Sequence, residues 1–274
     1  MASRTPFLLA LSLFLAAERA LSQFPSPPFG ELIVPAAASA HGLASTYFHT
    51  DLWVINLSAS EPIPLHLAYI CRSGCSTLPA LPATPTYSFA LAPGEARLFA
   101  DVITSVFSAP ESSGALDVYE PSFGATIQVP FFATSRTYSI DASSQGSYGT
   151  AIPALSWSQA TTHSKFVGLA SNGGDLATGF RSNAGAFVYS GGGAITYRLM
   201  DSTGHLLGTP LTVEAQLVQQ VNDIFQAVGA GGATLRDAVL EITTDNPALP
   251  YVIVIDNRTG DSIFLPGASV PLPN

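Results

Sequence analysis

Gly94 to Phe107 reads GEARLFADVITSVF, and Glu214 to Gly229 reads EAQLVQQVNDIFQAVG. Aligned, the two stretches place Asp101 over Asp223, Val102 over Ile224 and Val106 over Val228. In each, a short alternating run stops at the Asp and an apolar i, i+1, i+4 pattern follows. That pattern predicts a strand running into a brief helix, with the Asp as N-cap and its carboxylate accepting from first-turn backbone N–H groups. A strand-to-helix unit that occurs twice predicts a duplicated domain and implies no reaction.

Working outward, the rest of the chain falls into the same order. Phe180 to Ser190 aligns with Phe48 to Ser58, and Ala194 to Met200 with the strand around Leu65. Ala238 to Thr243 aligns with Ala115 to Glu120, and Tyr251 to Thr259 with Val129 to Thr137. A proline phrase recurs as LIVPAAAS, AIPALS and FLPGAS around Pro35, Pro153 and Pro266, framing two units and predicting that the closing segment pairs as the opening one did in the preceding unit. Thr46 to Leu57 is apolar on both faces and predicts a central strand. Pro130 marks the run from Ala125 to Tyr138 as an edge or bulged strand. The cysteine and proline loop after Ile70 belongs to the first copy only, so the fold is expected not to need it.

Short strands with Gly, Pro and Asn turns predict an all-β chain of two tandem, internally duplicated β-sandwich domains of immunoglobulin-like or Greek-key type, each with one short helix. The repeat is too long for the ~40 to 45 residue blade of a propeller. The expected division is a signal peptide over 1–22, a Pro-rich lead-in over 23–30, and sandwich domains over 31–140 and 141–274. The signal rests on Arg4, the apolar run Phe7 to Ala17 and the small-x-small site Ala20-Leu21-Ser22; eleven apolar residues are too few for a spanning helix of ~20.

Among 274 residues 47% are hydrophobic and only 11% charged, with Lys165 the single lysine. Such a Ser/Thr-rich, charge-poor chain fits exported all-β modules better than cytosolic enzymes. A net charge of −9 argues against nucleic acid or an anionic membrane as partner. The only cysteines, Cys71 and Cys75, predict a small loop disulfide in an oxidising compartment.

The segments IVPAAASAHG, TDLWVINLS, LAPGEARLFADV, VNDIF and IDNRTGDSIFLPG resemble secreted bacterial proteins and ectodomain segments built from paired immunoglobulin-like β-sandwich modules. The resemblance spans nearly the whole chain after residue 22 and implies fold and compartment. It brings no catalytic residue or ligand.

No nucleophile elbow, zinc-protease, phosphate-loop or EF-hand motif is present, so no catalytic, cofactor or metal residues are assigned. His49 and Asp51, alternating on one strand, are read as a sheet-surface pair with His41 in the preceding loop, against the alternative of a metal site in the H-x7-H-x-D spacing. Arg136 and Arg258, in S-R-T and N-R-T, are read as a repeated pair, each guanidinium clamping a carboxylate or loop carbonyls near Asp101 or Asp223. Trp53 and Trp157 are the candidate ligand surface. The resulting expectation is an exported, non-catalytic structural or binding protein with a protein or glycan partner. The alternatives are a carbohydrate-binding or carbohydrate-active protein, which needs exposed coplanar aromatics or facing carboxylates, and an adhesin that uses an uncovered strand edge on the Ala125 or Tyr251 run.

Overall fold

The computed structural model describes residues 30–42, 46–75, 84–121, 130–141, 144–175, 177–188 and 192–270. The signal segment, the lead-in up to residue 29, most of the proline loop and the start of the Ala125 run lie outside the described residues.

The chain is all-β. In the first unit, β1 (Glu31–His41), β2 (Tyr47–Asn56), β3 (Ile63–Ser73), β4 (Thr86–Leu91), β5 (Ala96–Phe99), β6 (Ser112–Tyr119), β7 (Phe131–Ile140) and β8 (Ser147–Pro153) build two antiparallel layers. One runs β4-β3-β6-β1 and the other β5-β2-β7-β8, with the end of β1 crossing over to pair β2. Alternation assigns the faces: Leu65, Leu67 and Tyr69 of β3 and Leu52 and Val54 of β2 are buried between the layers. Burial of the Tyr69 ring pushes its phenol up to about 12, and its hydroxyl is satisfied by Ser112 at 2.8 Å.

The second unit repeats the plan with β9 (Thr161–Asn172), β10 (Phe180–Val188), β11 (Gly193–Met200), β12 (Leu211–Ala215), β13 (Val218–Val221), β14 (Thr234–Asp256), β15 (Ser262–Leu265) and β16 (Ala268–Ser269). The 23-residue β14 does the work of both β6 and β7: its first half pairs β9 and β11, its second half β10 and β15. In the first unit the corresponding elements are two strands, β6 ending at Tyr119 and β7 beginning at Phe131.

Strand registers define the equivalence of the copies. Leu52 opposite Phe99 corresponds to Ala184 opposite Val221, and Ile55 opposite Phe132 to Phe187 opposite Leu249. Two alignments read from the sequence need correction. Ala37 faces Gly114 where Leu169 faces Ala238, so Ala238 corresponds to Gly114 and not Ala115; in a strand that single step exchanges the faces. Asp51 faces Arg136 where Asn183 faces Ile253, so Ile253, not Arg258, corresponds to Arg136.

The boundary moves as well. β8 pairs β7 from Ser147 to Pro153, so the first unit runs past 140 to Pro153, and the second begins after the 3-10 turn Trp157–Gln159. β7 lies between β2 and β8 and is no edge; Pro130 merely precedes it. Pro35 sits at a register shift between Val34 and Ala37 of β1, where its missing N–H does not break the ladder. After Pro153 and Pro266 the chain turns back onto the first strand of its own unit: Leu155 bridges Ile33, and Ala268 pairs Lys165.

The two units are fused by packing. Ile33, Ile70 and Ala115 of the first form one buried cluster with Phe187 and Leu249 of the second. Tyr251, Ile253 and Ile255 join the first unit's core.

Candidate functional site

The duplicated Asp is a turn residue before it is a cap. Asp101 and Asp223 both adopt the left-handed conformation, with φ of 40° and 54°, which short polar side chains tolerate best among non-glycine residues. The expected capping holds only for Asp223, whose carboxylate accepts from Gln226 N–H at 3.4 Å; Asp101 makes no such bond. What both copies keep is the reverse contact. The Asp101 N–H donates to Asp51 Oδ1 at 2.9 Å and the Asp223 N–H to Asn183 Oδ1 at 3.0 Å. The freed Asp101 carboxylate accepts from His49 Nδ1 at 3.1 Å. At the His49 position the second unit has Arg181, 8% exposed, which donates to Asn257 Oδ1 and lies beside Asp223. Burial lowers the Arg181 guanidinium's proton affinity and raises that of Asp223, and the two opposite charges partly offset both effects.

Arg136 bonds along β8 and not in the Asp101 region: its Nη2 donates to the Ser147 carbonyl at 3.2 Å and hydroxyl at 2.9 Å, and its guanidinium covers the Tyr138 ring at 5.0 Å. Arg258 is exposed in the turn after β14, so the two arginines do not share a role. His41 and His49 flank Tyr47 in a row of rings, with His41 beside Glu111 at 3.7 Å and Asp51 also accepting from the Tyr138 hydroxyl. Among the described residues no three His, Cys, Asp or Glu side chains form a metal-holding group. The Asn56 and Asn257 amides, each in a sequence triplet for glycan attachment, are 0% and 2% exposed and occupied by backbone carbonyls.

Cys71 and Cys75 form the expected disulfide. The small loop it closes presents Arg72, whose Nη2 donates to the Gln220 carbonyl of the second unit at 2.6 Å. The insertion thus makes an inter-unit contact.

Trp53 and Trp157 do not form one platform. Trp53 is 37% exposed on the outer face of β2, opposite Leu98. Trp157 lies in the inter-unit turn, packs 5.6 Å from Phe187 and donates from Nε1 to Glu31 Oε2 at 2.7 Å.

Glu31 leads to a pair of carboxyls that the sequence left scattered. Asp117 faces Ile33 and Ala68 from either side; in the second unit Glu241 faces Lys165 and Arg198. Burial, then the Glu31 charge and a hydrogen bond with Glu31, push the Asp117 carboxyl up to about 8. Glu241 accepts from His163 Nε2 at 2.7 Å, with Arg198 at 3.1 Å and Lys165 at 3.6 Å. Burial works to raise Glu241, but that hydrogen bond and the three neighbours outweigh it and hold the carboxyl below its ordinary value.

A cleft of about 690 Å³ opens between the units. Its charged lining pairs Arg72, His41 and Glu111 of the first unit with Arg181 and Asp223 of the second, and the second unit adds the amides of Asn183, Gln220, Asn222 and Gln226 and the Tyr251 phenol. The Tyr251 hydroxyl donates to Gln220 Oε1 at 2.9 Å, while the buried Arg72 Nε has no hydrogen-bond partner. Sequence reasoning missed this site because its two arginines lie more than a hundred residues apart and only docking of the units joins them. The alignment of Arg181 with His49 was the one available signal. No protein-family model matches the chain, and a search of the curated proteins returns no match.

Proposed function

We propose that the protein is exported and works at or outside the cell surface as a non-catalytic binding protein, its two sandwiches locked into one body around a ligand cleft. The carrying observation is the inter-unit cleft, lined by two arginines, four side-chain amides, a phenol and the carboxylates Glu111 and Asp223. Clefts between domains are a common place for ligand sites. Guanidinium and amide donors suit a ligand with acceptor oxygens and a carboxylate, while Glu111 and Asp223 can accept from hydroxyls, and an acidic sugar is the class that offers all three.

A panel of acidic and neutral oligosaccharides assayed by calorimetry tests the proposal. Acidic members are expected to bind, with Arg72→Ala and Arg181→Met each weakening them by about tenfold or more. Equal binding of neutral and acidic sugars, or no binding of either, would sink it. An edge-pairing adhesin would need a strand other than β7 or the second half of β14, since both are paired on two sides.

A further inference from the structure

Among the described residues, the duplication leaves one docking face exposed. In the second unit the outer face of β10, β13 and β14 carries Phe187 and Leu249, 4% and 1% exposed because they lie on the first unit. By register, the same face of the first unit carries Ile55 and Phe132, extended by Trp53 and Leu98. Here the side chains face solvent: Phe132 is 43% exposed, Trp53 37%, Leu98 50% and Leu57 beside them 45%. Adjacent large apolar groups on one sheet face mark an interaction surface.

We propose that this Trp53 face joins a second copy of the same chain in a closed twofold dimer. The internal interface supplies the precedent, since the equivalent face of the second unit is already used for sheet docking within one chain. It also decides the geometry. A head-to-tail chain of copies would set the Trp53 face on the second unit's counterpart of the Ile33 face. There Ile33 is replaced by Lys165, Ala68 by Arg198 and Glu31 by His163, around the buried Glu241. Covering that ion group with Trp53 and Leu98 would strip its charges of water without giving them new partners. The charged face therefore ends the row, as a polar cap ends a repeat array. What remains for the Trp53 face is its own copy, and the self-complementary arrangement closes. The rim suits this: Arg136 and Asp51 stand opposite each other across β2 and β7, so each copy offers both signs of charge.

Sedimentation velocity on the purified protein, from low to high micromolar concentration, is the test. A monomer–dimer equilibrium is expected for the native chain and for Val167→Glu, whose site is 69% exposed on the charged face. Leu98→Glu and Phe132→Glu should each weaken dimerisation by about tenfold or more, with unchanged circular dichroism showing that the variants fold. In a Trp157→Phe background, Trp53 emission should shift to shorter wavelength as the dimer forms. A native chain that stays monomeric at high concentration overturns the proposal and assigns the face to a different partner. So does a dimer broken by Val167→Glu and not by Leu98→Glu, or one that leaves Trp53 emission unchanged.

Discussion

Two carboxyls at one position of a duplicated fold, Asp117 and Glu241, have opposite electrostatic fates. Asp117 shares the inter-unit boundary with Glu31, Ile33 and Ala68, and is driven to hold its proton. Glu241 sits among His163, Lys165 and Arg198 on a face that no other unit covers, and is held ionised. Backbone and register are common to both. The difference teaches that the neighbours across the ladder, not the fold, set which face becomes an interface and which becomes an ionic cap.

The largest expected effect comes from exchanging residues between the copies. Gly185 occupies the position of Trp53, and a Cβ there would lie 2.5 Å from both the Tyr251 ring and the Gln219 carbonyl. Gly185→Trp should therefore destabilise the protein by about 3 kcal/mol or more, measured by urea unfolding; a neutral result would mean that the two faces are interchangeable. Next is the proton on Asp117. Its folded pKa of about 8 lies above the unfolded value, so the folded state binds the extra proton and stability falls as pH rises from about 4 to 8. Asp117→Asn should remove that slope and stabilise the protein by about 2 kcal/mol or more at pH 9, the gain vanishing towards pH 4. A pH profile identical to the native one would break the comparison on the first unit's side.

Reducing the disulfide, or the pair Cys71→Ser and Cys75→Ser, should cost about 2 kcal/mol or less, because so short a loop constrains the unfolded chain little. Thermal unfolding measures it, and a larger loss would show that the Arg72 contact with Gln220 dominates. The smallest effect is Glu241→Gln, about 1 kcal/mol at neutral pH, since Lys165 and Arg198 remain about half exposed and water screens them. Here the sign is reversed. The folded pKa is depressed, so the contribution is present above the ordinary glutamate range and lost as pH falls through the depressed value. Opposite pH slopes for the Asp117 and Glu241 variants sharpen the comparison; parallel slopes refute it.

Much of the architecture could be read before any coordinates, because strands report their buried face by alternation and a duplicated pattern reports itself. The central β2, the paired strand-to-helix units and the Cys71–Cys75 bridge were all legible in this way. Alignment by residue type failed where it had to fix register. S-R-T and N-R-T look alike, yet Arg136 lies within a ladder and Arg258 in a turn, because the path between the layers is shorter in the second unit. The cap role of Asp101 failed for a local reason: its left-handed backbone turns its own N–H towards Asp51, and its carboxylate meets His49.

By itself the sequence determined that there are two copies and that both are sandwiches, since these follow from patterns of near neighbours along a strand. Only the tertiary structure decided that the copies dock, that Arg72 and Arg181 line one cleft, that Glu31 meets Asp117, and that Trp53 is left in solvent while Phe187 is buried. Those facts depend on which outer face meets which. Such a choice is made by the match of two whole surfaces and is written in no single stretch of chain.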